Sequence, residues 1–333
     1  MMRALVFLLL AASSGLSIAK DDWVSPIDAK YKIKSPDLYR EFDQARSILD
    51  SWRGEGEKLS KAQQLLAEII KRDTTYAPAY LEFGRLYIMA GYINRQNYDV
   101  GSLSPAEAAI QKSIEIEPNY ADAYVLLGHL YTNLKQYDQA RNALEKGEYL
   151  GTKNPWLQLN WADLLEREDS WDGAAKRYIS VVDRGTTNKK AYAAALEGLI
   201  SYYVHKGDIA AADRWYQKAV AYEPSSAWSW GNYASFLLFR RNDIDGSIKA
   251  GEKALSIMDY GMGRFTLACA LYTKWALAKQ SNGSAKDAQV IFERAYLLYP
   301  DIDEVISETS KHESTRVTAS QLTMHRKFFP AGR

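Results

Sequence analysis

Cys269 is the single cysteine, and the histidines are His129, His205, His312 and His325. One thiol cannot form a Cys-x-x-Cys metal or redox pair. The histidines fall on different segments, so their spacing assembles no zinc ligand set. His312-Glu313 lacks the histidine that a zinc-protease helix carries four residues later. Asp243-Ile244-Asp245-Gly246 has neither the remaining ligands nor the downstream glutamate of a calcium loop. Gly261-Met262-Gly263 stops short of a dinucleotide fingerprint and follows no strand. No phosphate-binding glycine loop or serine elbow occurs. These residues predict no catalytic constellation, no cofactor and no metal, and Cys269, in an apolar stretch, reads as a small core residue.

The elements around these residues follow from Pro118–Gly151. Tyr124, Leu127, Gly128 and Tyr131 share one helical face, and Tyr137, Ala140, Leu144 and Gly147 share another. A helix pair this short cannot bury its apolar face alone and requires copies on either side. Copies are present. Ala106, Ala140 and Ala174 each open a second helix, at intervals of 34 residues. Ala62, Ala212, Ser247 and Ala288 extend the series at intervals of 44, 38, 35 and 41 residues. Pro118, Pro224 and Pro300 each lie twelve residues after such an alanine, where a proline ends the helix.

Residues 37–300 resemble the tetratricopeptide repeat family. Leu81–Tyr87 and Tyr124–Tyr131 carry its large–apolar–Gly–aromatic first helix. Trp171-Asp172-Gly173-Ala174, Gly207-Asp208-Ile209 and Asn242-Asp243-Ile244 carry its turn and second-helix opening. Ile200 departs from the pattern, and Gly231 blurs the sixth unit. The resemblance implies an all-α, right-handed superhelical solenoid of about seven helix pairs. Gly84, Gly128, Ala162 and Ala276 would let paired helices approach closely. It also implies a concave groove lined by the first helices. Carried onto this chain, the groove positions are Arg85, His129, Asn133, Asn160, Asp163, Glu197, His205, Asn232, Phe236 and Arg240. Their mixed charge and aromatic relief suit a protein or peptide partner. No inward lysine–asparagine pair four residues apart occurs, so chaperone carboxylate clamping is not expected.

Residues 1–19 read as a secretory signal: Arg3, the apolar run Ala4–Ala12, then Ser17-Ile18-Ala19 as a cleavage site. Cleavage would leave Lys20 first and no stable membrane span, since nine apolar residues fall short of the ~20 needed to cross a bilayer. The destination would be the periplasm in a bacterium and the exterior otherwise, where Asn282-Gly283-Ser284 would be a glycosylation site. Lys and Arg number 42 against 41 Asp and Glu, a balance that excludes broad electrostatic binding to nucleic acid. Residues 20–36 read as a linker, because Pro26 and Pro36 disfavour helix. Residues 301–333 read as a capping helix followed by a polar tail.

The segment Gly91–Leu103 interrupts the second unit, and Ser104-Pro105-Ala106-Glu107 reads as a capping box that restarts the helix. Tyr92, Arg95 and Tyr98 suit an interface, so the segment is expected to project from the edge of the unit and add to the partner site. The expected function is an exported, non-catalytic scaffold. The alternative is a component of polysaccharide export or envelope assembly. That alternative requires Trp156, Tyr233 and Phe236 to form one exposed strip for stacking on sugars.

Overall fold

The computed structural model describes residues 23–94, 97–280 and 285–311. The signal at 1–19, Arg95, the 282–284 glycosylation sequence and the tail from His312 lie outside the described residues. The chain divides into two compact units, Met1–Ala195 and Leu196–Arg333.

In the first unit, α1 (Pro26–Lys34) precedes four helix pairs. These are α2 (Pro36–Asp50) with α3 (Gly56–Arg72), α4 (Ala77–Ala90) with α5 (Val100–Ile116), α6 (Ala121–Asn133) with α7 (Tyr137–Tyr149), and α8 (Pro155–Arg167) with α9 (Trp171–Arg184). Each first helix packs on its partner, and α2, α4, α6 and α8 also touch in succession. The close approach is set by missing side chains. A Cβ on Gly84 would fall 2.4 Å from Ile110, and one on Gly128 would fall 2.5 Å from Leu144. Phe42, Leu66, Ile110, Leu130 and Leu144 fill the resulting core.

α10 (Lys189–His205) opens the fifth pair, and α11 (Ile209–Tyr222) follows. The second unit continues with α12 (Ala227–Phe239) on α13 (Ile244–Ile257) and α14 (Gly261–Gln280) on α15 (Ala285–Leu298). α16 (Ile302–Ser310) packs on α14, and its Val305 is fully buried in the same cluster as Cys269 and Phe292. Among the described residues the helices follow one another as the expected all-α repeat of about seven pairs requires.

One turn recurs through both units. Lys135, Asp169, Gly207 and Asn242 all have positive φ, between 58° and 73°. Each lies five residues before the small residue that opens a second helix: Ala140, Ala174, Ala212 and Ser247. The next amide in each case reaches back to a carbonyl of the first helix, as in Gln136 N to Tyr131 O at 2.9 Å and Asp208 N to Tyr203 O at 3.0 Å. This is the left-handed helix stop that satisfies the last carbonyls.

Two boundaries differ from the sequence reading. Residues 20–36 are not a linker throughout, because Pro26 starts α1 rather than preventing it. Ser25 caps that helix through its hydroxyl, and proline is tolerated at the first helical position. Likewise, α5 starts at Val100 instead of at the Ser104-Pro105 box, which leaves Pro105 inside the helix. The Asp99 carboxylate accepts from the Gly101 amide and the Ser102 hydroxyl, and buried Leu103 anchors the extra turn. The insertion is thus shortened to a hairpin, β1 (Tyr92–Asn94) antiparallel to β2 (Asn97–Tyr98). Its base is closed by Asp99 N donating to Gly91 O at 2.8 Å.

Candidate functional site

The first helices of unit 1 repeat one register. Arg46, Arg85, His129 and Asp163 each follow the small residue that faces the second helix: Ala45, Gly84, Gly128 and Ala162. They therefore form a polar row, with Asp50, Asn133 and Arg167 one turn further along α2, α6 and α8. All four members of the row are half-buried.

At one end of the row the groups are paired into a network. Arg46 binds Asp28 of α1 at 2.5 Å and Glu82 of α4 at 3.1 Å. Arg85 binds Glu82 at 3.2 Å and Asp50 of α2 more closely still. Burial works against the charged Arg46 guanidinium, but Glu82 and Asp28 outweigh it and raise its pKa well above the usual value. Lys190, at the start of α10, is held below the usual lysine range by burial and by the Arg53 and Arg85 guanidinia. Arg46, Glu82 and Lys190 were not among the residues expected from the sequence. The register after Ala45 could have revealed Arg46.

α1 lies across this end of the row. Besides Asp28 on Arg46, Tyr31 donates to the Thr75 carbonyl at 2.7 Å, and Lys30 pairs with Glu117 at 2.6 Å. Tyr120 donates to Asp28. Trp23 donates to Asp122 at 3.2 Å, and Thr152 donates to the same carboxylate at 2.8 Å. Asp122 stands seven residues before His129, two helical turns along the same face.

The other end of the row holds His129, Asn133, Asp163 and Arg167. Asn133 donates to the His129 carbonyl at 2.9 Å, and Arg167 pairs with Asp163 at 3.3 Å. Burial holds the His129 imidazole below its ordinary pKa, against the opposing pull of Asp163. The Tyr98 end of the hairpin faces this region. Tyr98 packs against the unit 1 core, and burial, with Asp163 adding, pushes its hydroxyl up to about 12. Tyr92 meets Tyr98 edge-on at 5.7 Å and stays 46% exposed.

Two expected groove residues belong to the packing instead. Asn160 is 7% exposed and donates to the Val125 carbonyl of the neighbouring first helix at 2.9 Å. It falls two residues before Ala162, a position turned toward the adjacent pair. Phe236, in unit 2, is 4% exposed and lies 4.6 Å from the Tyr216 ring. With Phe236 buried, the three-ring strip required for sugar stacking is not formed. Glu197, His205, Asn232 and Arg240 are exposed on α10, on α12 and at the α12 C-cap in unit 2.

Among the described residues no group of His, Cys, Asp and Glu is placed to hold a metal ion, and no helix is long and apolar enough to cross a membrane. A tetratricopeptide repeat family profile matches residues 109–142, which take in the end of α5, all of α6 and the opening of α7. This is a tetratricopeptide repeat fold. Solved structures agree with it at the level of the fold. The Cut9–Hcn1 hetero-tetramer of the APC/C aligns with a TM-score of 0.56 and 16% identity, over 73% of this chain. This chain covers only 45% of that one. PilF of Pseudomonas aeruginosa aligns with a TM-score of 0.51 and 17% identity, over 72% of this chain and 99% of its own. A monomeric IFIT1 mutant with Gppp-AAAA aligns with a TM-score of 0.55 and 11% identity, over 91% of this chain and 72% of its own. No curated protein sequence matches the chain. The tetratricopeptide fold is compatible with protein–protein interaction.

Proposed function

We propose that this chain is an exported, non-catalytic scaffold that holds a protein or peptide segment in the groove of unit 1. The observation that carries this reading is the hairpin whose Tyr98 lies within electrostatic reach of Asp163 and Arg167. It buries Tyr98 toward the Asp163–Arg167 pair and leaves Tyr92 exposed at the rim. An exposed tyrosine beside a half-buried His–Asn–Asp–Arg row offers an aromatic anchor and directional polar contacts together, the combination that dominates interface energetics. A segment lying along the row would meet the Asn133 amide, the His129 ring and the Asp163–Arg167 pair in turn.

The test is photo-crosslinking from a benzoylphenylalanine placed at Tyr92. Tyr149 serves as the control, because at 83% exposure it is the more accessible ring. A discrete adduct from position 92 and none from 149 is expected. Equal labelling from both would mean that accessibility, not a site, determines capture. Export rests on Arg3, the apolar run to Ala12 and the Ser17–Ala19 motif. N-terminal sequencing of the exported fraction should then begin at Lys20, and protein there retaining Met1 would sink the cleavage reading.

A further inference from the structure

α1 touches the solenoid in the way a ligand does. In a repeat array each element contacts its immediate neighbours. α1, with Trp23 just before it, instead reaches groups belonging to three successive pairs: Arg46 in the first, Thr75 at the entrance to the second, Glu117 and Tyr120 at the entrance to the third, and Asp122, which Trp23 meets. Its inward positions are Ser25, Asp28 and Tyr31, spaced by three residues and nearly fully buried, while Lys32, Ile33 and Lys34 point outward. Tyr31 sits 4.8 Å from Tyr76 in an edge-on contact.

The attachment is short, and α1 owes its helicity to it. Nine residues are too few for a helix to persist alone, since isolated helices below about 12 residues are marginal in water. α1 is therefore helical because it is docked. Its anchors are the ion pairs and hydrogen bonds of Asp28, Lys30 and Tyr31, with Tyr31 and Ile27 adding a narrow apolar contact to the core. Only Ser35 separates it from α2, and Pro36 starts α2 afresh, so α2 does not need α1 to begin.

We propose that Trp23–Lys34 is a tethered stand-in for the partner's own recognition element. The groove takes a short amphipathic helix that offers a carboxylate to Arg46 and Tyr120 and an aromatic ring one turn later to Tyr76. α1 leaves when such a helix enters, so the chain holds its own site closed until it meets a partner that competes. This inference rests on the reading of the unit 1 groove as a partner site and adds the chemistry and regulation of its α1-covered end.

The probe is a fluorescein-labelled peptide of residues 22–35, titrated by anisotropy into the whole chain. Wild type should bind it weakly. A whole-chain Asp28→Asn/Tyr31→Ala variant, loosened at both anchors, should bind it at least tenfold more tightly. The peptide carrying Asp28→Asn should lose at least tenfold on that variant. A variant that keeps wild-type helical content and takes up no peptide overturns the inference. Hydrogen exchange on the wild-type chain tests the same point without relying on the variant to fold. Amides of residues 29–34 should exchange at least 100-fold faster than those in the middle of α4 and α6. Exchange of α1 in step with α4 would make it a fixed part of the core and overturn the inference. Neither measurement uses a partner, so either can fail while crosslinking at Tyr92 succeeds, and the reverse.

Discussion

At the scale of single residues, the side chains that bind the groove together are those whose charge is costly to bury. Asp122 is the clearest case. Burial raises its carboxyl pKa, the Thr152 and Trp23 hydrogen bonds work against that, and nearby Asp28 adds to it. The folded chain therefore holds this proton more tightly than the unfolded chain does. The contribution to stability is most favourable below the ordinary carboxylate range and is lost as pH rises through the raised value. Asp122→Asn keeps an acceptor for Trp23 and Thr152 and removes the buried charge. The variant should be as stable as wild type or better at pH 7, by up to about 1 kcal/mol. Its advantage should vanish toward pH 4, as read from urea midpoints. A wild type that gains on the variant as pH rises would show the ionised carboxylate to be stabilising. The sequence could not reveal this role. The one-after-small rule picks out Arg85, His129 and Asp163, but it says nothing of which carboxylate a distant tryptophan will reach. It also cannot separate Asn160, which faces a neighbouring backbone carbonyl, from a groove residue on the same helix.

At the scale of elements, periodicity made the helix pairs legible because apolar spacing and small residues are local signals. What it missed was set by competition between local signals. Pro26 follows Ser25 just as Pro36 follows Ser35, and both pairs start helices, yet the lysines of α1 concealed its inward Asp28–Tyr31 edge. The Ser104-Pro105 box is a strong helix start, but Asp99 caps earlier and Leu103 has a core to enter. The recurring left-handed turn yields a prediction of its own. Three of its four residues carry a Cβ in a region where L-residues are strained by roughly 1–2 kcal/mol, and only Gly207 avoids this. Lys135 is exposed, and the bonds of its turn come from backbone amides, Lys135 N to Thr132 O and Gln136 N to Tyr131 O. Lys135→Gly removes the strain and keeps those bonds, at the cost of a more flexible unfolded chain. A net gain of about 0.5–1 kcal/mol is expected. Asn242→Gly should gain less, because asparagine tolerates this conformation. Thermal denaturation of the two variants checks the order, and an unchanged or lower midpoint for Lys135→Gly would mean that the strain at Lys135 is no larger than the entropic cost of glycine.

At the scale of the whole molecule, a solenoid's stability is a sum of local terms, and its last repeat needs a cover for the face that no neighbour buries. In unit 2 that cover is α16. Its nine residues contribute Val305, with no exposed surface, to the cluster around Cys269, Tyr272 and Phe292. Cys269 is itself fully buried, and burial, with Glu308 and Glu304 adding, pushes its thiol well above the usual range. The native thiol is thus protonated and enclosed, and it reacts only when the structure around α14 opens. As the only cysteine, it reports on that opening without further engineering. Val305→Ala removes two methyl groups from the cap's contact, worth roughly 0.8 kcal/mol each before any cavity cost. If α16 docks as the cap, this should shift its local equilibrium by more than tenfold. Alkylation of Cys269 by iodoacetamide in native buffer should accelerate by about that factor, with helical content nearly unchanged. A labelling rate equal to wild type, in a variant with a measurably lower denaturation midpoint, would mean that Cys269 becomes accessible only through opening that α16 does not control. The cap would then be an appendage of the last pair rather than the cover of its core.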